Sequence, residues 1–371
     1  MTKAPLKPFQ KIDALKTIVL PKMIHQLRLA DVGLCKLKIL NRKLKIWFKK
    51  TLHLAEWCPD SWVHSEKGGG LSNILELILK CRKKASEKMA CSSDEVSVKV
   101  GISIDDTNRS RLEKYNNSAS IDTNRLREHW ETQRMIRLRE CLNGSAMLTI
   151  ANSVVKRSWL WTDRFLDGRT RTRCCQMMSG TIPSRINLTR GVQDREVKLC
   201  RRCKSTPETD LHILSSYPKN KGVITKCHDH IVSIVTERLL AIGKGAVKEK
   251  TWRVRRDGKG MENIRPDISV QDEGKLLFIE ITCPYEKSTE HLNQRMLEKD
   301  AKYDWVAPSN INNAIQSVKI VSLAIGCCGT ITEMCKKRMK DLHLDTATII
   351  RMQKSVMKGS SIIVNVHINN G

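Results

Sequence analysis

No apolar run in the 371-residue sequence approaches the roughly 18 residues that a membrane-spanning helix needs. The stretch Met1–Leu20 mixes lysines with apolar residues and carries no secretion signal. There is no internal repeat and no low-complexity tract. Acidic side chains are scarce: 39 Asp and Glu stand against 66 Lys and Arg, a net charge of +27. On these absences neither a helical membrane protein nor an exported one is expected. The 14 cysteines are scattered rather than framed as a secreted disulfide scaffold, so reduced thiols in an intracellular setting are expected, with one metal site among them. With 40% hydrophobic and 28% charged residues, the chain is foldable and long enough for two or three domains. So large a positive charge on a folded chain suits a polyanion, with nucleic acid the first expectation.

Helical spacing dominates the first ninety residues. Asp13–Leu20 and Leu34–Trp47 repeat apolar residues at that period, with lysines on the other faces. Pro21 either begins a helix or kinks one. Gly68-Gly69-Gly70 breaks the pattern, which resumes over Leu71–Met89. The polar stretch Cys91–Ile121 reads as a linker or loop. A helix is expected from Asp122, with a stripe of Leu126, Trp130, Leu138 and Leu142 and a stop at Gly144. Another helix over Trp159–Leu166 is followed by a basic turn at Gly168–Arg173.

Two constellations carry chemistry. In the first, Cys200-Arg-Arg-Cys203 is followed after eight residues by His212. Two thiolates on a tight turn with an imidazole from the next segment make a small zinc loop. Its obvious fourth position, five residues after His212, is Tyr217, and phenol is a poor zinc ligand. Cys227, His228, His230 or water are left to complete the set.

The second is a hairpin. Arg265–Gln271 and Lys275–Thr282 are β-rich runs around Asp272-Glu273-Gly274. If Glu273-Gly274 is a two-residue loop, Ile268 faces Ile279, Val270 faces Leu277 and Asp267 faces Glu280. Side chains so opposed lie about 4.5–5.5 Å apart at Cβ, so the two carboxylates repel unless a cation joins them. An oxygen-preferring Mg²⁺ or Mn²⁺ answers that need and could activate water against a phosphodiester. A lysine two residues after the second acid is absent, since Thr282 stands there. Lys299 and Lys302 follow on an expected helix, either able to reach the hairpin. The remaining elements expected over 233–345 are a helix at His230–Leu240, a central strand at Ile320–Ile325 and a helix at Thr330–Leu342. Cys327 and Cys328 fall in the turn between the last two, as packing residues.

Arg265-Pro-Asp267, Glu280-Ile-Thr-Cys-Pro-Tyr-Glu286 and Glu298-Lys-Asp-Ala-Lys-Tyr303 together resemble the restriction-like endonuclease of non-LTR retrotransposon polyproteins, of the type inserting into ribosomal RNA genes. Thr189-Arg-Gly191, Cys200-x2-Cys203 and Glu208-Thr-Asp-Leu-His212 resemble that family's linker and CCHC knuckle. Leu160-Trp161 to Pro183-Ser-Arg185 resembles its helical linker, and residues 14–75 its reverse-transcriptase thumb. The resemblance implies an α+β chain: 1–95 helical and thumb-like, 96–195 helical linker, 196–232 knuckle-like, 233–345 a PD-(D/E)xK-type nuclease, and 346–371 a tail. It implies Asp267 and Glu280 as Mg²⁺ or Mn²⁺ ligands, Lys299 or Lys302 as the catalytic lysine with Tyr303 beside it, and Cys200, Cys203 and His212 toward Zn²⁺. Target DNA and element RNA are the implied partners, with no membrane, in the nucleus.

Two departures bear on function. Tyr217 stands where the knuckle's last cysteine is expected. No aromatic-Ala-Asp-Asp sequence occurs, so a polymerase palm is absent and DNA synthesis is not expected of this segment. The expectation is a Mg²⁺-dependent endonuclease that nicks target DNA for target-primed reverse transcription. Its rival is a nucleic-acid-binding remnant of such an element without turnover.

Overall fold

The computed structural model describes residues 5–30, 32–115, 118–256, 258–311 and 314–369. Helices and small sheets are mixed, in keeping with an α+β chain. Two compact units emerge: Met1–Gly144 with Asp167–Ser179, and Ser145–Leu166 with Gly180–Gly371.

The first unit is helical. In the helix Leu34–Thr51 the apolar stripe buries Leu37 and Phe48 together with Asn41, while Lys36, Lys38, Arg42, Lys43 and Lys50 stay exposed. Asn41 Oδ1 accepts from the Ile74 backbone N–H at 3.2 Å, at the start of the helix Ile74–Ala90. Asn73 caps that helix, its side chain accepting from the Leu75 and Glu76 amides. Pro21 lies in the first turn of the helix Leu20–Leu29, directly after a π-helical stretch, Leu15–Val19.

Several local expectations are corrected here. The polar stretch Cys91–Ile121 is not a loop, because most of it forms the helix Glu95–Glu113. That helix buries Gly101, Asn108 and Leu112 rather than an apolar stripe, and Asn108 donates to the Leu79 carbonyl at 3.1 Å. The next helix, Leu126–Arg139, buries Leu126, Trp130 and Leu138, but Leu142 lies beyond its end and is exposed. Gly144 opens a further helix, Gly144–Ala151, instead of stopping one. The basic turn at Gly168–Arg173 is the start of the helix Gly168–Met178, whose cap, Asp167, accepts from the Thr170 amide at 2.8 Å.

The second unit is built on a four-stranded sheet in the order β1-β4-β5-β6, with β2 and β3 paired separately. The strands are β1 Ala246–Lys248, β2 Trp252–Arg256, β3 Gly260–Ile264, β4 Ile268–Asp272, β5 Lys275–Thr282 and β6 Ser317–Ala324. β4 pairs antiparallel with β1 and β5, and β6 pairs parallel with β5. The apolar run at Ile320–Ile325 therefore belongs to an edge strand, not a central one. It is apolar because both of its faces are covered.

Period-two alternation sends β5 residues to two cores. Ile279 and Ile281 join Ile268, Val270, Val321 and Leu323 against the helices Lys221–Ala241, Glu333–Asp341 and Thr346–Asn369. Leu276 and Phe278 face the other way, with Trp252, Val254, Ile264 and Tyr303. Cys327 and Cys328 are buried in the turn after β6. Residues 346–371, set apart above as a tail, contain the 24-residue helix Thr346–Asn369, with Met352, Val356 and Val364 fully buried. Each such side chain contributes about 1.5–3 kcal/mol through burial.

Candidate functional site

The turn between β4 and β5 controls the acidic site. Glu273 and Gly274 both adopt positive φ, 43° and 76°, as a two-residue type I′ connection requires. Asp272 then pairs with Lys275, Val270 with Leu277 and Ile268 with Ile279. Continuing that register by one residue sets Asp267 beside Glu280.

Asp267 is anchored at the mouth of the hairpin. Its Oδ2 accepts from the Ile281 backbone N–H at 2.7 Å and lies 3.1 Å from His228 Nε2. Burial alone would raise this carboxyl, but His228 and the Ile281 amide outweigh it and hold it below its ordinary value. His228, on the helix Lys221–Ala241, is lifted to about 9, chiefly by its hydrogen bond to Asp267 and against the opposing effect of burial. Its Nδ1 faces Asp229 at 3.2 Å, so both ring nitrogens meet carboxylates.

Glu280 is only 1% exposed. Its Oε2 accepts from Lys299 Nζ at 2.8 Å. Its Oε1 has no hydrogen-bond donor among the described residues, with Lys302 Nζ at 3.7 Å. Lys299 rides the helix Thr289–Ala301, capped at Ser288, and Lys302 follows its last residue. Asp300 pins that helix to β6: it accepts from the Ser322 amide at 2.9 Å and from Arg338 at 2.7 Å. Tyr303 donates to the Arg265 carbonyl at 3.3 Å, and Lys302 lies 4.4 Å over its ring. Burial pushes the Tyr303 phenol up, and the charges of Glu280 and Asp267 add to the effect, so one phenol feels both carboxylates.

The cysteine–histidine knuckle lies in the same unit. The Cys200 amide donates to the Thr206 carbonyl at 2.8 Å, and Leu199 bridges Pro207, closing a tight loop around Cys203. The ligand atoms of Cys200, Cys203 and His212 all lie within 4.8 Å of one another. Cys203 Sγ is 3.6 Å from His212 Nε2. Desolvation alone would raise the Cys203 thiol, but donors on Ser205 and Thr206 bring it down to about 5, a value suited to a metal-binding thiolate.

The segment expected to complete this set points elsewhere. Cys227 faces the Ser355 carbonyl, His228 holds Asp267, and His230 is exposed. His367, on the helix Thr346–Asn369, comes to the knuckle instead, its Nε2 3.5 Å from Cys200 Sγ. The ligand atoms of Cys200, Glu208 and His367 form a second group within 4.8 Å. Tyr217 is buried beside both imidazoles, its ring centroid 5.4 Å from that of His212 and 4.8 Å from that of His367. Neither His228 at the acid nor His367 at the thiols has a spacing signal, because each lies far along the chain from its partner. The pair Cys227-His228 was legible only as generic ligand types.

No protein-family model matches the chain. Curated relatives do. It is 22% identical over 378 residues to the retrovirus-related Pol polyprotein from type-1 retrotransposable element R2 of Popillia japonica, covering 98% of this chain and 74% of the relative. It is 24% identical over 246 residues to the Pol polyprotein from type-2 retrotransposable element R2DM of Drosophila melanogaster, 64% of this chain and 23% of the relative. The type-1 R2 polyprotein of Bradysia coprophila matches at 22% over 391 residues, 97% of this chain and 41% of the relative. The resemblance drawn from the motifs thus holds over most of the chain: it is similar to a region of the Pol polyprotein of R2-type, non-LTR retrotransposable elements.

Proposed function

We propose that this chain is a metal-dependent DNA endonuclease that nicks target DNA for target-primed reverse transcription. Nuclease chemistry is assigned to 233–345, a zinc-binding role to the knuckle at 196–232, and nucleic-acid contact to the basic helical segments at 1–95 and 96–195. Target DNA and element RNA are the partners, and the nucleus is the place of action. No polymerase activity is assigned, for want of an aromatic-Ala-Asp-Asp sequence.

One observation carries the reading. A buried glutamate, Glu280, keeps one oxygen without a donor while Lys299 holds the other at 2.8 Å, on a hairpin whose register brings Asp267 alongside. A buried carboxylate oxygen left without a donor is costly unless it serves another partner. The oxygen donor set suits Mg²⁺ or Mn²⁺, which Asp267 and Glu280 would hold. The bound ion supplies Lewis-acid polarisation of the phosphodiester and a more acidic water.

The chain's own groups divide the remaining work. His228 keeps Asp267 ionised and fixes the orientation of its Oδ2. Lys299 orients the attacking water or stabilises charge building on the phosphate oxygens, as a cation fixed in place does. Asp300 and Arg338 hold the lysine-bearing helix against β6, so that Lys299 reaches the acid without Thr282 having to be a lysine. Lys302, more exposed and stacked on Tyr303, suits contact with the DNA backbone.

The test is nicking of supercoiled plasmid by the purified chain with Mg²⁺ and with EDTA. Open-circle product that appears only with metal supports the endonuclease. Tight DNA binding with no product at any divalent metal concentration supports the inactive remnant instead.

A further inference from the structure

We propose that His367 is the fourth ligand of the knuckle, completing a Cys200, Cys203, His212, His367 zinc site with an imidazole from a distant helix. This rests on the reading that the knuckle binds zinc and goes beyond it in saying how the set closes without a fourth cysteine.

The geometry is the first argument. With Zn–S near 2.3 Å and Zn–N near 2.05 Å, a tetrahedron has an S···N edge of about 3.6 Å. The structure shows that edge twice: 3.6 Å from Cys203 Sγ to His212 Nε2 and 3.5 Å from Cys200 Sγ to His367 Nε2. Each thiol is therefore already matched with one imidazole. Cys200 belongs to both ligand groups, which stand as two separate sets, so His367 has still to close on Cys203 and His212 when the metal binds.

Elimination is the second. Glu208 is near enough, but its oxygens already accept from the Arg201 side chain at 2.7 and 2.9 Å and from the Arg201 and Arg185 amides, both at 2.8 Å. Such a carboxylate is committed to holding the loop, and zinc prefers nitrogen and sulfur in structural sites. Tyr217 offers a phenol. Cys227 and His228 are engaged elsewhere, as described above.

Burial is the third. Cys200 and His367 are both fully buried. His367 Nε2 also lies 3.3 Å from Glu208 Oε2, and Nδ1 faces the Asn220 amide nitrogen at 3.4 Å. Coordination through Nε2 moves the ring proton to Nδ1. Asn220 must then present its oxygen, by an amide flip that gives up its bond to the Ile213 carbonyl and the bond it accepts from Arg202.

The consequence is a staple between distant parts of the chain. The helix Thr346–Asn369 packs along Lys221–Ala241, with Gly359 against Cys227, one residue from His228. A metal on His367 would fasten the knuckle to the helix pair that supports the acidic site.

The experiment measures metal content and Co²⁺ spectra on the full chain. Wild type is expected to hold one zinc per chain, and its Co²⁺ form to show two thiolate ligands in a tetrahedral field. His367→Gln keeps a hydrogen-bonding side chain for Glu208 and should lose zinc affinity by about tenfold or more, since even outer partners of a ligand are worth that much. His367→Cys should retain zinc, with thiolate-to-cobalt charge-transfer intensity rising by about half as a third thiolate enters. If wild type holds zinc and His367→Gln holds it equally tightly, His367 is not a ligand and the knuckle reading survives alone. If His367→Gln fails to fold, the Cys variant decides: an unchanged two-thiolate spectrum overturns the proposal. A wild type without zinc overturns both the knuckle reading and this one.

Discussion

Lys299 Nζ lies 2.8 Å from Glu280 Oε2, although the two residues come from different elements, a helix and a strand 19 positions apart. The pairing lets a lysine from elsewhere occupy the place that Thr282 leaves vacant in the local sequence. It also distinguishes the two candidate lysines, because Lys302 Nζ is 3.7 Å from the same carboxylate and rests on the Tyr303 ring. Lys299→Ala should therefore slow nicking by about 100-fold or more, the usual cost of removing a fixed charge stabiliser. Lys302→Ala should slow it less than about tenfold and act mainly on DNA affinity. Single-turnover nicking rates at saturating protein separate the two.

Phosphate contacts are assigned to the exposed lysines of Leu34–Thr51. Lys45 and Lys49 are paired with Asp60 and are not counted among them. Reversing the charge of Lys36, Lys38 and Lys43 should shallow the slope of log affinity against log salt on duplex DNA by about 2.7, at about 0.9 per phosphate. A slope unchanged from wild type in fluorescence anisotropy titrations would place the DNA on another surface.

His64 makes the stability of the helical unit depend on pH. Burial drives its pKa from 6.5 down to about 4, with the Leu71 carbonyl opposing weakly. The folded unit keeps the ring neutral, with Nδ1 donating to that carbonyl at 2.8 Å. The unfolded chain takes up the proton below about 6.5, so stability is intact above that pH and falls as pH drops toward 4. The loss is of order 3 kcal/mol when complete. Urea denaturation followed by tryptophan fluorescence at pH 7, 5.5 and 4.5 checks this, with His64→Gln expected to flatten the dependence.

Gly359 lets two helices approach closely. A Cβ there would lie 2.2 Å from Cys227 Sγ. Gly359→Val should destabilise the second unit by about 1–3 kcal/mol through overpacking. Adding Cys227→Ala should recover part of the loss, which a thermal denaturation series on the single and double variants would show.

The hairpin was legible because its information is local. Glu273-Gly274 names the turn, and a two-residue turn gives the register that sets Asp267 beside Glu280. The helix Glu95–Glu113 was not legible, because small and polar residues make its contact and no apolar stripe exists to be counted. The position of β6 at the sheet edge was hidden for a different reason: a strand covered on both faces is apolar wherever it sits in the order. His228 and His367 were hidden by distance, since neither the Asp267 contact nor the Cys200 contact leaves a trace in spacing.

The central claim is that Asp267 and Glu280 together make a metal-dependent nuclease site, and Asp267→Ala and Glu280→Ala test it most directly. Both variants, assayed beside wild type for Mg²⁺-dependent nicking and for duplex binding, should lose nicking altogether. Their DNA affinity should stay within about twofold of wild type, because phosphate contacts made by lysines and arginines are untouched. Nicking at the wild-type rate by either variant would contradict the account.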